Sequence, residues 1–390
     1  RDPMTRSSNR ALHAALLAGG MSLGLLGTAH AQEAEAAAAA PSWLDGFKIG
    51  AFVDAYGALR SDNNEVAGAA RAPYAHEAYV SADGFALAFA GADLSYSGDE
   101  FGATMSLRFG PGVVRFYAAD QGPLGIDNIT QAFVTWKPAK VPGLTLDLGQ
   151  FGTIYGAEVA ESWRNVNYSR GGLYYAMQPF WHTGLRANYA INDMFGVNAL
   201  VVNGVNTAFE NNKSPSLGIQ GLVTPIPELF IAVGYLGALH PRDGGEAARH
   251  FDHFFDLVAT LTLGDFKLVA NADLNLYRPD GAPDSENWWG ISLAPAYSIA
   301  NWFGVGARVE YLADSANAAL AQRNATPGDS TSLTTLTATL DFKPVPNNAS
   351  LVLRPEFRYE IASEDTFYDG DDEDTNQFWT IMLGAVVTSM

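Results

Sequence analysis

The chain has 390 residues, with 42 acidic and 23 basic side chains, a formal net charge of −19 at pH 7 and no cysteine. The absence of cysteine excludes disulfide scaffolds, thiolate metal sites and cysteine nucleophiles. The acidic balance argues against a nucleic-acid-binding protein, which would carry clustered Lys and Arg. Because 48% of the residues are apolar and 12% are aromatic, the chain is expected to fold rather than stay disordered.

The first residues predict a secretory signal peptide. Basic residues precede an apolar run at 11–26, and a small-x-small cleavage site follows at 29–31. Residues 1–31 are therefore expected to be removed and residues 32–45 to form a short periplasmic tail. The alternative is a transmembrane anchor, but the apolar run is shorter than the roughly 20 residues that a membrane-spanning helix needs.

After the tail, apolar and polar residues alternate with a period of two, which predicts β-strands. In segment 266–277 one face is wholly apolar, while the other carries Lys267 and Asp273. Segment 351–360 likewise places Arg354 and its charged neighbours on one face. Such strands can turn their apolar face to a protein core or to lipid, so both a soluble sandwich and an outer-membrane barrel fit the alternation alone.

Connection lengths favour the barrel. Seven tight turns are predicted near 97–100, 137–143, 191–193, 224–228, 264–265, 299–301 and 343–349, and they alternate with eight long polar loops near 58–84, 110–128, 152–181, 204–215, 238–252, 278–288, 312–331 and 361–376. This alternation is typical of outer-membrane barrels, with short periplasmic turns and long extracellular loops. Residues 46–390 are therefore predicted to form one all-β domain, a transmembrane antiparallel up-and-down β-barrel of about 16 strands.

Five pieces in one segment carry a family resemblance: Leu146–Phe151, Asn165–Arg170, Pro179–Arg186, Val202–Gly204 and Asn211–Ser216. By their order and spacing, the segment from Gln131 to Pro225 resembles the OmpL-like family of β-barrel outer-membrane porins. The resemblance implies a water-filled channel for passive diffusion of ions and small polar solutes in the cell outer membrane. It also implies contact with outer-membrane lipid and lipopolysaccharide and insertion by the outer-membrane assembly machinery. Porins of sixteen strands are commonly trimers, so a homotrimer is expected too.

Strand phase predicts which charged residues face the barrel interior. Arg or Lys on the lipid face would cost roughly 2–4 kcal/mol at the membrane midplane, so the charged faces are assigned to the lumen. The predicted pore-lining residues are Lys48, Arg108, Asp147, Arg186, Lys267, Asp273, Arg308, Glu310, Arg354, Glu356, Arg358 and Glu360. Sixteen strands enclose more space than side chains fill, which predicts an aqueous channel unless a segment plugs it.

The longest loop, residues 152–181, is predicted to fold inward and narrow the channel, by analogy with general porins. Glu158 and Glu161 of this loop are then expected to face the inward arginines and to set a transverse field. The alternative is an external loop that packs on its neighbours. Because clefts lined by one sign of charge concentrate counter-ions, the acidic chain is expected to show a weak cation preference.

Other features do not favour a different function. His250 and His253 resemble a metal pair, but residues three apart face opposite sides of a strand. The acidic run 364–374 carries oxygen ligands that suit calcium, but its order does not fit an EF-hand loop, and a solvated loop is the simpler interpretation. The common enzymatic motifs are absent from the sequence, so we expect no enzymatic activity and no cofactor or metal. The alternatives are a plugged substrate-specific transporter, an enzyme on the barrel wall and a secreted soluble β-protein.

Overall fold

The structure is a computed structural model that describes residues 46–61, 84–117, 128–210, 215–238, 253–277, 286–322, 324–326, 328–345, 350–369 and 373–389. The predicted signal peptide and periplasmic tail lie outside these residues.

Sixteen antiparallel strands of the described residues close into one barrel. Each strand pairs with its neighbours along the chain, and the first strand pairs with the last to close the ring. The barrel strands are β1 (Phe47–Arg60), β2 (Gly84–Ser97), β3 (Phe101–Phe109), β4 (Ile129–Trp136), β5 (Leu144–Gly152), β6 (Trp181–Ala190), β7 (Phe195–Val202), β8 (Ser216–Ile226), β9 (Leu229–Ala238), β10 (His253–Leu263), β11 (Phe266–Tyr277), β12 (Glu286–Ala300), β13 (Phe303–Asp314), β14 (Thr331–Phe342), β15 (Leu351–Ala362) and β18 (Gln377–Thr388). The predicted sixteen-stranded up-and-down barrel is confirmed.

Short connections between strands lie at one end of the barrel, and long connections lie at the other end. Short links occupy 98–100, 137–143, 191–194, 227–228, 264–265, 301–302 and 343–350, each within a few residues of a predicted turn. The long connections at the other end carry helices α1 (Pro111–Phe116) and α2 (Gly172–Met177), and a hairpin of β16 (Phe367–Tyr368) and β17 (Asp374–Thr375). The described residues contain no helix that is long and apolar enough to cross a membrane.

Burial alternates along the strands as the sequence pattern predicts. On β15, Arg354, Glu356 and Arg358 are buried, whereas Phe357 between them is 47% exposed. Val309 on β13 is exposed in the same way, although its neighbour Arg308 is buried. The outer surface is therefore an apolar band that suits lipid, and the inner face carries the charges.

A chain segment takes up much of the barrel interior. Residues 153–180, which join β5 to β6 and are called the inner loop below, include Tyr168 and Arg170, both 0% exposed. The largest apolar cluster joins Phe52 of β1 and Phe116 of α1 to Tyr174 of the inner loop. A barrel of this size has room for a wide aqueous channel, but here the inner loop and its aromatic neighbours occupy much of that room.

Candidate functional site

The inner loop leaves and re-enters the barrel wall at one place. The Thr153 N–H donates to the Phe180 carbonyl over 3.1 Å, so the two ends of the loop meet. His182, the second residue of β6, is fully buried beside them, with Nε2 3.1 Å from Thr153 Oγ1 and Nδ1 2.8 Å from the Gly204 carbonyl. Because both ends of the loop are held together at β5 and β6, the residues between them can extend across the barrel to the other strands.

Three arginines on β13 and β15 hold the loop by its backbone carbonyls. A guanidinium presents five donors in a rigid plane, which allows one side chain to serve several acceptors at once. Arg308 donates to the carbonyl of Ser169 over 2.7 Å, and Arg358 donates to the carbonyl of Arg170 over 2.6 Å. Arg354 donates to the carbonyls of Ser162 and Val166, both over 2.6 Å. These contacts fix the middle of the loop against one side of the barrel.

Two carboxylates on the same wall accept the loop's backbone N–H groups. Glu356 accepts from Tyr168 over 2.6 Å and from Ser169 over 3.0 Å. Glu310 accepts from Gly172 over 3.2 Å at the start of α2. Hydrogen bonds to an ionised acceptor are stronger than those between neutral groups. The β13–β15 wall therefore binds both the carbonyl groups and the N–H groups of the loop backbone.

The two acidic residues predicted for the loop meet inward arginines. Glu158 Oε1 lies 2.7 Å from Arg308 Nη1, and Glu161 Oε1 lies 2.9 Å from Arg108 Nη2. Arg108 also pairs with Asp93 at 2.8 Å. Because Arg108 is on β3 and Arg308 is on β13, the loop's own charges are bound at two distant parts of the wall.

The two loop carboxyls differ in their protonation behaviour. Burial raises the pKa of Glu158 above its ordinary value, and the nearby charge of Arg308 only partly offsets that effect. Burial also acts on Glu161, but the charges of Arg108 and Arg164 outweigh it and hold the pKa of Glu161 below its ordinary value. Acidification is therefore expected to neutralise Glu158 before Glu161.

The other predicted pore-lining charges mostly pair with near neighbours on the wall. Arg186 lies 2.9 Å from Asp147 on the adjacent strand. Arg358 lies 2.5 Å from Glu360, and Arg354 lies 2.7 Å from Asp341. Lys48 is exposed near the short-link end. Positive and negative charges are thus balanced locally rather than sorted onto opposite walls.

A second group of wall residues holds the loop without any arginine. Asp256 on β10 and Asp273 on β11 are directly opposite in register and both 3% exposed. Asn271 Nδ2 donates to both carboxylates, over 3.1 and 3.0 Å. Asp256 also accepts from the Gly156 N–H over 3.1 Å, and Asp273 accepts from Gln178 Nε2 over 2.9 Å. Among the described residues, neither carboxylate has an ion-pair partner.

Tyr168 and its partners are a part of the site that the sequence alone did not indicate. Its hydroxyl donates to Asp54 on β1 over 2.6 Å, and Ser162 donates to the same carboxylate over 2.7 Å. Its ring packs on Gly384 of β18, where a Cβ atom would lie 2.3 Å from the ring. An inward-facing glycine on a strand signals close approach of another group, and that signal was present in the sequence.

A small cavity remains between the inner loop and the inner face of β10–β13, with a volume of about 40 Å³. Its lining includes Glu158 and Arg164 from the loop and Lys267 from β11. Arg308 and Glu310 complete the set of charged lining residues. Three of the predicted pore-lining residues therefore meet here.

Within the described residues, there is no cluster of three or more His, Asp or Glu side chains that could hold a metal ion. His253 lies beside Tyr235, with Nδ1 2.9 Å from the Tyr235 hydroxyl. His250, together with Asp371 and Asp372 of the acidic run, lies outside the described residues.

Comparisons with known proteins agree with this architecture. Solved structures with the same fold include an in-vitro folded trimer form of OmpT from Vibrio cholerae, with a TM-score of 0.56, 15% identity, and coverage of 88% of this chain and 98% of that one. The anion-selective porin from Comamonas acidovorans has a TM-score of 0.56, 10% identity, and coverage of 88% and 99%. The outer-membrane channel DcaP of Acinetobacter baumannii has a TM-score of 0.53, 13% identity, and coverage of 88% and 96%.

No curated protein matches the chain. The family model of beta-barrel porin-2, OmpL-like, matches residues 46–388, which is nearly the whole barrel. The expected family resemblance is thereby confirmed, and the chain belongs to this OmpL-like family of outer-membrane β-barrel porins.

Proposed function

We propose that the protein is a narrow channel for ions and small polar solutes in which the inner loop forms the constriction. The observation that carries this proposal is the binding of the loop to distant parts of the wall, through Glu161 to Arg108 and Glu158 to Arg308. A loop held in this way reduces the lumen to the space beside it. The family and the fold favour a non-enzymatic channel in the outer membrane.

The proposed passage runs through the cavity between the loop and Lys267 of β11. The loop is bonded most densely to β13–β15, where Arg308, Arg354 and Arg358 contact its carbonyls. The cavity borders these contacts, since Arg308 also lines it, and it extends to Lys267. Solutes would follow the side where the loop and the wall leave space.

A plugged substrate-specific transporter is the second candidate. Deep burial of inward-facing side chains favours it, since Arg308 is 1% and Arg358 is 0% exposed. In that case the inner loop would have to move before any solute could pass.

A cross-linking experiment in planar bilayers separates the two candidates. Because the chain has no cysteine, a double variant N167C/T339C can join the loop to β14 through a short thiol-specific reagent. The replaced side chains are 2.8 Å apart at Asn167 Nδ2 and Thr339 Oγ1. The single variant N167C, treated with the same reagent, controls for modification alone.

Discrete conductance steps that survive cross-linking are the expected result, since the proposed passage needs no loop movement. Steps that disappear after cross-linking would show that the loop must move and would overturn the fixed constriction. Silence from correctly folded protein before cross-linking would favour the plugged transporter.

Export and assembly belong to the same proposal. Removal of residues 1–31 would deliver residues 46–390 to the outer-membrane assembly machinery as one barrel domain. The exposed apolar outer face supports contact with lipid and lipopolysaccharide. A homotrimer is consistent with the trimer form of the OmpT structure, and cross-linking in native membranes would test it.

A further inference from the structure

The cavity beside the inner loop has an unbalanced set of charges. Its charged lining residues are three basic ones, Arg164, Lys267 and Arg308, and two acidic ones, Glu158 and Glu310. Arg308 forms ion pairs with both acids, at 2.7 Å from Glu158 and 3.1 Å from Glu310. The five charged groups therefore leave one net positive charge, and Lys267 and Arg164 are the two bases of the lining that are not bound to its acids.

Lys267 has no acidic neighbour to neutralise it. Within the part of the chain that the structure describes, its ammonium group has neither an ion-pair nor a hydrogen-bond partner. Arg164 is exposed and lines the same cavity. Its charge also acts on Glu161, but that carboxylate already forms an ion pair with Arg108 at 2.9 Å. In a chain of net charge −19, an unpaired lysine on the inner wall requires a separate explanation.

A hydroxyl group beside Lys267 is also unused. Thr260 on β10 is 4% exposed, lines the cavity, and its Oγ1 has no hydrogen-bond partner among the described residues. In the β10–β11 register Thr260 is opposite Val269, two residues from Lys267, so the two side chains are diagonal neighbours on one face. A buried hydroxyl without a partner costs free energy, and an acceptor atom of a bound solute would remove that cost.

The remaining lining is apolar and close by. Val159 and Val166 of the loop face Val269 and Ala294 of the wall. A cavity of about 40 Å³ admits only a few heavy atoms at a time. The lining therefore combines a cationic end with a hydroxyl donor and a short apolar end.

We propose that this cavity is a binding site for small monocarboxylate anions, and that Lys267 determines the anion preference of the channel. The proposal rests on the proposed channel function and names its solute class. It differs from the weak cation preference expected from total charge, because the charged groups that line the cavity sum to one positive charge. The carboxylate would lie between Lys267 and Thr260, with its alkyl part against Val269 and Ala294.

Reversal potentials of the mature full-length chain in planar bilayers test the selectivity. Under gradients of potassium chloride, acetate and propionate, the wild type should favour the anion. The variant K267Q should lower the anion-to-cation permeability ratio by at least about fivefold, which is the effect on the anion alone of one unit charge acting at about 4 Å through water. The matched control is K343Q, which removes a lysine at the same end of the barrel, in the β14–β15 link and outside the cavity.

Binding measured without transport separates this inference from the channel proposal. Line broadening of 13C-labelled propionate by the folded protein in detergent should be strong for the wild type and K343Q, and weak for K267Q and for T260V, which removes only the hydroxyl. Channels that conduct but keep their selectivity in K267Q would overturn the inference and leave the channel proposal intact. Equal broadening in K267Q would overturn the inference even if the protein does not conduct.

Discussion

The two walls that hold the inner loop use opposite chemistry. On β13–β15, Arg308 and Arg354 donate to loop carbonyls while Glu356 accepts from loop N–H groups, so buried charges of both signs are compensated. On β10–β11, Asp256 and Asp273 accept from loop groups and from Asn271, and neither forms an ion pair with a described residue. The first wall anchors the loop with paired charges, whereas the second holds it with buried carboxyl groups that have only neutral partners.

This difference teaches that burial alone does not identify a strong contact. An ion pair that loses one partner leaves an uncompensated charge in the interior, which is strongly destabilising. A buried carboxylate that has only neutral partners can lose its charge without leaving any cation unpaired. The same amide substitution should therefore have different effects on the two walls.

The largest effect is expected for Arg354→Ala. Its guanidinium bonds to Ser162 and Val166 of the loop, at 2.6 Å each, are lost together. We expect the free energy of unfolding to fall by about 3–5 kcal/mol and single-channel conductance to rise, because the loop is released from β15. Denaturant titration and bilayer recordings measure both. Lys137→Ala, in an exposed short link, is the control, and an unchanged conductance in Arg354→Ala would show that this wall does not hold the constriction.

The stability of the two variants Glu360→Gln and Asp256→Asn tests directly whether the two walls respond differently to loss of a carboxylate charge. Glu360→Gln removes the partner of Arg358, 2.5 Å away and fully buried, and should lower the free energy of unfolding by about 3 kcal/mol. Asp256→Asn keeps an oxygen acceptor for the Gly156 N–H and strands no cation, so stability should stay the same or increase. Denaturant unfolding of both variants in the same detergent gives the difference. Equal losses would mean that the two walls are energetically alike.

The smallest effect is expected for Tyr155→Phe. The Tyr155 hydroxyl donates to the Tyr235 carbonyl over 2.8 Å, and loss of one neutral hydrogen bond costs about 1 kcal/mol. Conductance should not change, since the ring still packs on Phe254. Tyr359→Phe, which removes a hydroxyl bonded to Gln377 at the surface, is the matched control and should cost less. A loss in Tyr155→Phe as large as that in Arg354→Ala would contradict the view that charged contacts hold the loop more strongly than neutral ones.

The barrel could be predicted from the sequence because its signals are local. Period-two alternation places Arg354, Glu356 and Arg358 on one face without knowledge of any partner. Turn positions follow from where that alternation stops, and the structure places them within a few residues of the predictions. Strand phase in turn brings the predicted charges to the inner face.

The partners of the inner loop could not be predicted, because they are distant in the chain. Arg354 contacts Ser162, 192 positions away, and Tyr168 contacts Asp54, 114 positions away. Nothing in either local pattern selects these pairs. The position of Gly384 under the Tyr168 ring was detectable only as a glycine on an inward face, a weak signal without a known partner.

The position of Tyr168 has a consequence for the order of folding. It contacts Asp54 on β1 and packs on Gly384 of β18, and these two strands form the seam where the barrel closes. A ring that touches both sides of the seam links the docking of the loop to the pairing of the last strand with the first. We therefore expect closure of the barrel and enclosure of the loop to be a single kinetic event.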